Sequence, residues 1–260
     1  MTERPTRSIE IEKTVEASPE EVWEALTTSE GLKNWFPLDA KVEPGEGGSV
    51  WLSWGPGVEG EAPIHVFEPG ARFGWTEHYG DDEQGRPIKV AVDFHIEGRD
   101  GSTVVRLVQS GLSADADWDE MYDALVDGWT YFLFNLVFWF QHHRGRSRRM
   151  AWKRAATDLA RDAVWQAIAG VGLIGDAPAD QPVQLDLDVP RPARVVSSRK
   201  GRHFAAALPD LDDAILFVEL EGKHVGFWLS TYTLDEPEVA ALQTALDARV
   251  EEALGGQPGS

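Results

Sequence analysis

GWTYFLFNLVFWF, residues 128–140, is apolar on every side if it is wound into a helix. From Trp129 to Phe140, ten of the twelve residues are apolar and seven are aromatic. Three explanations are open: a membrane span, a core helix with another domain on its back, or one wall of an apolar ligand cavity. A span needs about 20 apolar residues, but this run lies between Asp127 and Gln141. We therefore expect no membrane span, and the other two explanations remain.

The helical spacing around this stretch extends from Asp115 to His143. Acidic residues mark a wet face in its first half, and that face disappears after Gly128. One broad apolar stripe runs along the whole segment. Its members are Trp118, Met121, Tyr122, Leu125, Trp129, Phe132, Leu133, Leu136 and Phe140. The pattern predicts one long helix that is half-exposed at its start and covered at its end.

Composition restricts the classes of partner. The 260 residues hold 44 acidic and 24 basic side chains, a net charge of -20 that repels nucleic acid and anionic lipid. Cysteine is absent, which excludes disulfides, thiolate metal sites and cysteine nucleophiles. The segment MTERPTRSIEIEK lacks the apolar core of a secretion signal. We expect no nucleic-acid partner and a cytoplasmic location.

The residues before the long helix predict a strand, a helix and an antiparallel meander. Ser8 to Val15 alternates as a strand does. Ser18 and Glu21 form a capping-box pattern around Pro19, which predicts a helix start. Period-two segments with glycine-rich breaks then predict strands at 48–53, 62–68, 71–78, 87–97 and 103–110.

The second half of the chain repeats this order faintly. Residues 144–153 have the basic composition of a boundary, and a helix is predicted at 152–169. The later predicted elements are strands at 183–188, 194–199, 202–207, 214–221 and 224–231, and a helix at 235–254. We predict one domain over 1–145 and a second α+β domain over 150–260, and we hypothesise that the second is a degenerate copy of the first.

Four motifs, in this order, resemble one known superfamily. They are EASPEEVWEALTTSEGLKNWFP (16–37), FEPGARFGWTE (67–77), TVVRLVQSGL (103–112) and DGW (127–129). Residues 8–143 thereby resemble the SRPBCC superfamily (START-like, birch-pollen-allergen-like), in the branch related to the activator of heat-shock protein 90 ATPase. The resemblance implies an α+β helix-grip fold, in which a curved antiparallel sheet wraps a long C-terminal helix. Residues 150–260 show no comparably clear resemblance.

The resemblance also implies an apolar cavity between the sheet and the long helix. Members bind lipids, sterols, polyketides or other hydrophobic molecules there, some are cyclases or hydrolases, and others are co-chaperones. Fold alone does not choose among them. We therefore carry three functions forward: binding of a small hydrophobic ligand, a cyclase- or hydrolase-type enzyme, and a protein-interaction module.

Aromatic and aliphatic side chains are the candidates for lining this cavity. Met121, Leu125 and Trp129 come from the long helix. The candidates from the sheet and its edge are Trp35, Phe36, Trp54, Phe73, Trp75, Val92 and Phe94. The competing interpretation is that these rings fill the hollow of the sheet as ordinary core.

Three polar side chains are candidates for chemistry or for orienting a ligand. Glu77 shares a strand face with Trp75, so it is a candidate buried carboxylate with a raised pKa and an acid or base role. His65 and Arg106 are candidate partners for Glu77 or for the polar end of a ligand. The alternative for Glu77 is a strand-end residue in solvent. No residues have metal-ligand spacing, and we expect no metal or cofactor.

The long helix also carries rings on the side away from the sheet. These are Tyr131, Phe134, Phe138 and Trp139. A contiguous apolar patch of that size is typical of an interface. We predict that residues 150–260 pack on it, or that it forms a homodimer contact.

Overall fold

The computed structural model describes residues 5–81 and 85–255, and the chain divides into two compact units, 1–147 and 148–260. Over its described residues, unit 1 holds seven strands, two short helices and one long helix. In chain order they are β1 (Thr6–Val15), α1 (Pro19–Thr27), α2 (Ser29–Lys33), β2 (Asp39–Glu43), β3 (Ser49–Ser53), β4 (Glu59–Glu68), β5 (Arg72–Asp81), β6 (Pro87–Arg99), β7 (Ser102–Ser113) and α3 (Asp119–His142), with a 3₁₀ turn at Ala116–Trp118.

The strands of unit 1 form one antiparallel sheet in the order β1-β7-β6-β5-β4-β3-β2. Strand β1 pairs with β7, and strands β2 to β7 pair in chain order as a meander. The predicted α+β helix-grip arrangement is confirmed. The edge strand β2 was not predicted, because it is short, mostly charged and buries only Ala40.

The capping box at the start of α1 is present as predicted. Ser18 Oγ accepts from the backbone N–H of Glu21 at 3.3 Å, and Glu21 Oε2 accepts from the backbone N–H of Ser18 at 3.0 Å. These two bonds satisfy backbone donors that a helix end otherwise leaves unpaired.

Helix α3 lies across the sheet and is anchored at its start and in its second half. At its start, Arg7 of β1 pairs with Asp119 at 2.7 Å, and the Tyr122 hydroxyl donates to the Ser8 carbonyl at 3.0 Å. Further along, the Asn135 amide donates to the Trp35 carbonyl at 3.4 Å. Every buried residue of α3 lies at or after Trp129, so the helix is half-exposed at its start and covered at its end.

Unit 2 is a second α+β unit. Its elements are β8 (Arg149–Ala156), α4 (Arg161–Gly170), β9 (Pro182–Asp186), β10 (Pro190–Arg199), β11 (His203–Leu208), β12 (Ala214–Glu221), β13 (His224–Thr231) and α5 (Glu236–Leu254), with a 3₁₀ turn at Pro209–Leu211. The sheet order is β8-β13-β12-β11-β10-β9. One apolar core joins the sheet to both helices, through residues such as Ile168 of α4 and Leu246 of α5.

The prediction for residues 149–156 was wrong. They form strand β8 instead of a boundary and the start of a helix, and α4 begins only at Arg161. Strand β8 pairs with β13 about 75 residues away, with Trp152 opposite Trp228. Alanine and arginine favour a helix locally, but hydrogen bonding to a distant strand overrides that preference.

The two units share one topology. In each, the first strand pairs with the last strand, the remaining strands form a meander, and a long helix ends the unit. In the part of the chain that the structure describes, unit 2 has six strands where unit 1 has seven, and one short helix where unit 1 has two. This topology supports the hypothesis that the second unit is a degenerate copy of the first.

Candidate functional site

The site is built from the concave face of the unit 1 sheet, the face that α3 covers. Strand alternation places Phe73, Trp75, Glu77 and Tyr79 of β5 on this face, because side chains two residues apart point the same way. On β7 the same alternation places Gln109 there, opposite Val92 of β6.

A continuous cluster of rings occupies the inner part of this face. We define the ring cluster by its six members, which are Trp35, Phe36, Phe73, Trp75, Phe94 and Trp129. Phe36 is central, with its centroid 5.1 Å from that of Trp35 and 5.0 Å from that of Trp129, both stacked. Phe94 continues the cluster at 5.8 Å from Trp75 and 5.9 Å from Trp129. Helix α3 and the segment after α2 therefore meet the sheet through aromatic contacts.

The deepest candidates do not line open space in this structure. Trp35, Phe73, Trp75, Val92 and Phe94 are each 0 % exposed. A side chain with no exposed surface touches neither bulk water nor a void large enough for a water molecule. For these five residues the expectation of a cavity wall is replaced by core packing, because the large rings fill the hollow themselves.

Glu77 lies at the outer edge of the ring cluster and belongs to a polar network. Trp75 Nε1 donates to Glu77 Oε1 at 2.9 Å, and Trp129 Nε1 donates to Gln109 Oε1 at 2.9 Å. Tyr79 lies on the same strand face, next to both Glu77 and Gln109, and so connects the two pairs. We call these five residues the Glu77 network.

Burial changes the proton affinity of two groups in the network. It raises the pKa of Glu77 above its usual value, and the hydrogen bonds from Trp75 and Tyr79 lower it in part. Burial, followed by the charge of Glu77, raises the pKa of Tyr79 far above its usual value. Among residues 5–81 and 85–255, no basic side chain forms an ion pair with Glu77.

The expectation that His65 or Arg106 faces the cavity was wrong, because both lie on the outer face of the sheet. His65 sits at a bulge between Ile64 and Val66, where its Nε2 lies 3.1 Å from Asp93 Oδ1. Arg106 alternates with the buried residues on either side of it, and its Nη1 donates to Glu10 Oε1 at 3.0 Å.

Four half-buried apolar side chains come from the end of β3, the turn before α3 and α3 itself. We call them the entrance residues, and they are Trp54, Trp118, Leu125 and Phe132. The Trp118 ring lies 6.0 Å from Tyr79, and the Trp54 ring lies 5.4 Å from Phe36. Met121 is 45 % exposed on the first half of α3, so it lies outside the buried ring cluster, and its role in lining a cavity stays a prediction.

Sequence reasoning missed two residues of the network, Tyr79 and Gln109. Tyr79 follows Glu77 by two positions, so alternation could have placed it on the same face. Gln109 is a polar residue among the alternating apolar residues of β7 and is 1 % exposed. A buried amide needs hydrogen-bond partners. A glutamine within this apolar pattern was therefore the signal that could have identified Gln109 as part of a polar network.

In the described ranges, no three histidine, aspartate or glutamate side chains come together as a metal site would require. None of the helices described is long and apolar enough to cross a membrane.

The rings on the other side of α3 are mostly covered. Tyr131, Phe138 and Trp139 are 7 %, 4 % and 8 % exposed, and Phe134 is half-buried with its ring 5.5 Å from that of Phe138. Trp139 Nε1 donates to the Arg146 carbonyl at 2.9 Å. Their role in a contact with residues 150–260 or with a second copy stays a prediction.

Comparisons with known proteins concern mainly the first half of the chain. Residues 16–139 match the family model described as Activator of Hsp90 ATPase homolog 1-like protein. The Aha1 dimer from Colwellia psychrerythraea is 23% identical, with 54% of this chain and 99% of that chain covered and a TM-score of 0.46. The di-domain ARO/CYC BexL from the BE-7585A biosynthetic pathway is 14% identical, with 96% of each chain covered and a TM-score of 0.44. No curated protein sequence matches this chain.

Proposed function

We propose that unit 1, whose residues 16–139 match the family model described as Activator of Hsp90 ATPase homolog 1-like protein, binds a small hydrophobic molecule without covalent chemistry. The binding site is the outer end of the concave face, between the entrance residues and the Glu77 network. The observation that carries the proposal is the Glu77 carboxyl group, which accepts from Trp75 Nε1 on this otherwise largely apolar face and has a raised pKa because it is buried. A protein that uses this face only as core has no need to bury a carboxyl there.

The entrance residues supply the affinity. Covering about 300 Å² of apolar surface at about 25 cal/mol per Å² gives roughly 7 kcal/mol. Association costs at least about 4 kcal/mol, so the net binding free energy of a small apolar molecule is a few kcal/mol. We expect dissociation constants near the millimolar range for a two-ring hydrocarbon, with tighter binding for a ligand that also uses Glu77.

The test is an NMR titration of the full chain, with ¹⁵N-labelled indole groups, against 2-ethylnaphthalene. We expect the indole N–H signals of Trp54, Trp75 and Trp118 to shift together and to saturate. Leu125→Asp puts a charge among the entrance residues and should abolish the shifts. Val189→Asp is the matched control, because Val189 is 52 % exposed in unit 2 and should leave the titration unchanged. Native mass spectrometry of the purified protein checks for a co-purified apolar molecule.

A second candidate function, protein interaction, is favoured by the solid packing of the ring cluster. A hollow already filled by side chains needs no ligand, and the matched family is named for activation of the Hsp90 ATPase. The discriminating measurement is the ATP turnover of a purified Hsp90 with and without this chain. Stimulation that saturates with added chain, together with a flat 2-ethylnaphthalene titration, would favour this function over ligand binding.

The cyclase- or hydrolase-type function stays a prediction, with Glu77 as the candidate acid or base. Glu77→Gln keeps the size and the hydrogen-bond acceptor of the side chain but removes its titratable proton. Such an enzyme would lose turnover in this variant while retaining ligand binding.

A further inference from the structure

We propose that Thr76, His65 and Asp93, on the outer face of the unit 1 sheet, form a hydroxyl–imidazole–carboxylate relay that transfers the acyl group of a small activated ester to Thr76 and then to water. This relay lies on the opposite face from the ring cluster, so it is independent of the ligand-binding function proposed above. It follows from two hydrogen bonds and from the backbone features that permit them.

Both hydrogen bonds involve the imidazole of His65. Its Nε2 lies 3.1 Å from Asp93 Oδ1, and its Nδ1 lies 3.0 Å from Thr76 Oγ1. A carboxylate only accepts, so Nε2 carries the hydrogen of the neutral ring and Nδ1 is left as an acceptor. The Thr76 hydroxyl therefore donates to Nδ1. A hydroxyl held on a base, with the base oriented by a third group, is the arrangement that activates a nucleophile.

A bulge and a glycine allow His65 of β4 to reach across β5 to Asp93 of β6. The bulge interrupts the pairing of β4 with β5 at His65, and bulges commonly redirect a side chain. The ring lies over Gly74 of β5. A Cβ at that position would lie 2.7 Å from the Val92 carbonyl oxygen, 2.9 Å from Asp93 Oδ1 and 3.1 Å from His65 Nε2. A side chain at Gly74 would therefore displace the His65–Asp93 hydrogen bond.

The relay is open to small molecules, and its carboxylate is held in place. The side chains of His65 and Asp93 are 33 % and 16 % exposed, and Thr76 is half-buried. Arg72 Nη2 lies 3.6 Å from Asp93 Oδ1 and so stabilises the negative charge of Asp93. That charge in turn stabilises the imidazolium that forms when His65 takes a proton.

The surroundings of the relay define the substrate class. The relay lies on the outer face of a sheet, where a substrate gains little binding energy, so a small acyl group is favoured. The backbone amides of β5 and β6 pair with each other along this face. They therefore provide little stabilisation for the oxyanion of a tetrahedral intermediate. The alcohol must compensate by being a good leaving group, as in an aryl ester.

The reaction balances in two steps. In the first, Thr76 Oγ1 bonds to the carbonyl carbon, and its proton moves to His65 Nδ1. The bond to the leaving oxygen then breaks, and the leaving group takes that proton. In the second step, water gives a proton to Nδ1 and attacks the acyl carbon, and Thr76 Oγ1 leaves with the proton. The products are the alcohol or phenol and the carboxylic acid.

The test is acylation of the full chain by p-nitrophenyl acetate at about pH 8, where imidazole groups in general are neutral. Samples are quenched in acid, and fragment-ion mass spectrometry measures the acetyl group at each threonine. Thr14 is the internal control, because it is exposed on the edge strand β1. General-base catalysis supplies about 10²–10⁴-fold, so we expect Thr76 to be acetylated at least about tenfold faster than Thr14.

Variants separate the relay from a hydrogen-bonded bridge with no chemical role. His65→Gln keeps hydrogen-bonding groups on the side chain but removes the base, so the rate at Thr76 should fall to the rate at Thr14. His78→Gln is the matched control, because His78 is exposed on the same strand as Thr76 and should leave the rate at Thr76 unchanged.

Asp93 is a positioning residue, and its test measures the imidazole itself. In the wild type, ¹⁵N NMR of the His65 ring should show the hydrogen on Nε2. Asp93→Asn offers an amide donor to Nε2, so the hydrogen should move to Nδ1 and acylation of Thr76 should slow. Asp93→Glu keeps a carboxylate and should retain the hydrogen on Nε2.

Three results would overturn the inference. They are a wild-type rate at Thr76 no higher than at Thr14, an unchanged rate in folded His65→Gln, and a ring hydrogen on Nδ1 of His65 in the wild type. The unfolding midpoint of each variant shows whether it is folded, and the wild-type comparison needs no variant. None of these results bears on the binding of 2-ethylnaphthalene, which is proposed for the other face.

Discussion

Trp75 and Glu77 are two residues apart on strand β5, and the indole Nε1 of the first donates to Oε1 of the second at 2.9 Å. Both side chains lie on the concave face because strand side chains alternate. The bond places a carboxyl group at the boundary between a ring cluster and the half-buried entrance.

Trp75→Phe should raise the pKa of Glu77 further. The indole N–H stabilises the carboxylate form, so its removal favours the proton. The measurement is the pH titration of the Glu77 carboxyl carbon by ¹³C NMR, assigned with Glu77→Gln. Trp51→Phe is the control, since Trp51 lies on β3 beside Lys41 and should leave that titration in place. An unchanged or lowered pKa of Glu77 in Trp75→Phe would contradict the hydrogen bond from the Trp75 indole to Glu77.

Unit 2 contains a carboxyl group whose titration should appear in the stability of the protein. Burial, and then the charge of Glu221, raises the pKa of Glu219 from 4.5 to about 8, while Trp228 Nε1 donates to Glu219 Oε1 at 2.8 Å. The folded state holds this proton more tightly than the unfolded state. The stability that Glu219 contributes through this proton is therefore complete below pH 4.5 and is lost as the pH rises toward about 8.

Glu219→Gln should abolish this decrease in stability with rising pH, because the variant has no proton to lose at this position. The free energy of unfolding of the wild type should fall relative to the variant by up to about 1.4 kcal/mol per pH unit within this window. Urea denaturation at several pH values measures the difference. Glu221→Gln removes a neighbouring negative charge, so it should lower the pKa of Glu219 and narrow the window. Parallel pH profiles for wild type and Glu219→Gln would count against the raised pKa.

Phe36→Ala should destabilise unit 1 by about 3–5 kcal/mol, the usual cost of deleting a buried phenylalanine ring. Phe36 is 5 % exposed and contacts Trp35, Trp54 and Trp129 in the ring cluster. Met121→Ala, at a residue that is 45 % exposed, should cost no more than about 0.5 kcal/mol. Urea unfolding monitored by tryptophan fluorescence compares the two. Similar costs would mean that the ring cluster is not the core of the unit.

Ser18→Ala should cost about 1 kcal/mol, because it removes the side-chain half of the capping box on α1. Ser18→Thr keeps a hydroxyl at the same position and should cost less. Thermal unfolding of the three proteins at one pH gives the comparison. Equal midpoints for Ser18→Ala and the wild type would show that the cap contributes nothing.

His65→Ala and Arg106→Ala should leave the binding of 2-ethylnaphthalene unchanged. His65 pairs with Asp93 and Arg106 with Glu10 on the outer face, where these ion pairs contribute little. The same NMR titration of the indole signals measures this. Weaker binding in either variant would place that residue in the site and contradict its position on the outer face.

Much of the fold follows from local chemistry. The alternation along β5, β6 and β7, the capping box at Ser18 and Glu21, and the aromatic helix α3 all predict elements that form near their expected positions. Each of these signals depends on neighbours within one turn or one strand. Strand β8 could not be predicted in this way, because its residues favour a helix until β13 provides hydrogen-bond partners.

The candidate site depends more strongly on tertiary structure. Alternation alone puts Glu77 beside Trp75, so the sequence by itself determined that a carboxyl group shares a face with large rings. It could not determine that the rings of Phe36 and Trp129 meet and fill the hollow, since they come from segments more than 90 residues apart. The bulge at His65, the link from Tyr79 to Gln109 and the burial of Glu77 likewise arise only when strands pair. Periodicity is a property of one strand, whereas burial and counter-charge depend on what the rest of the chain brings to each face.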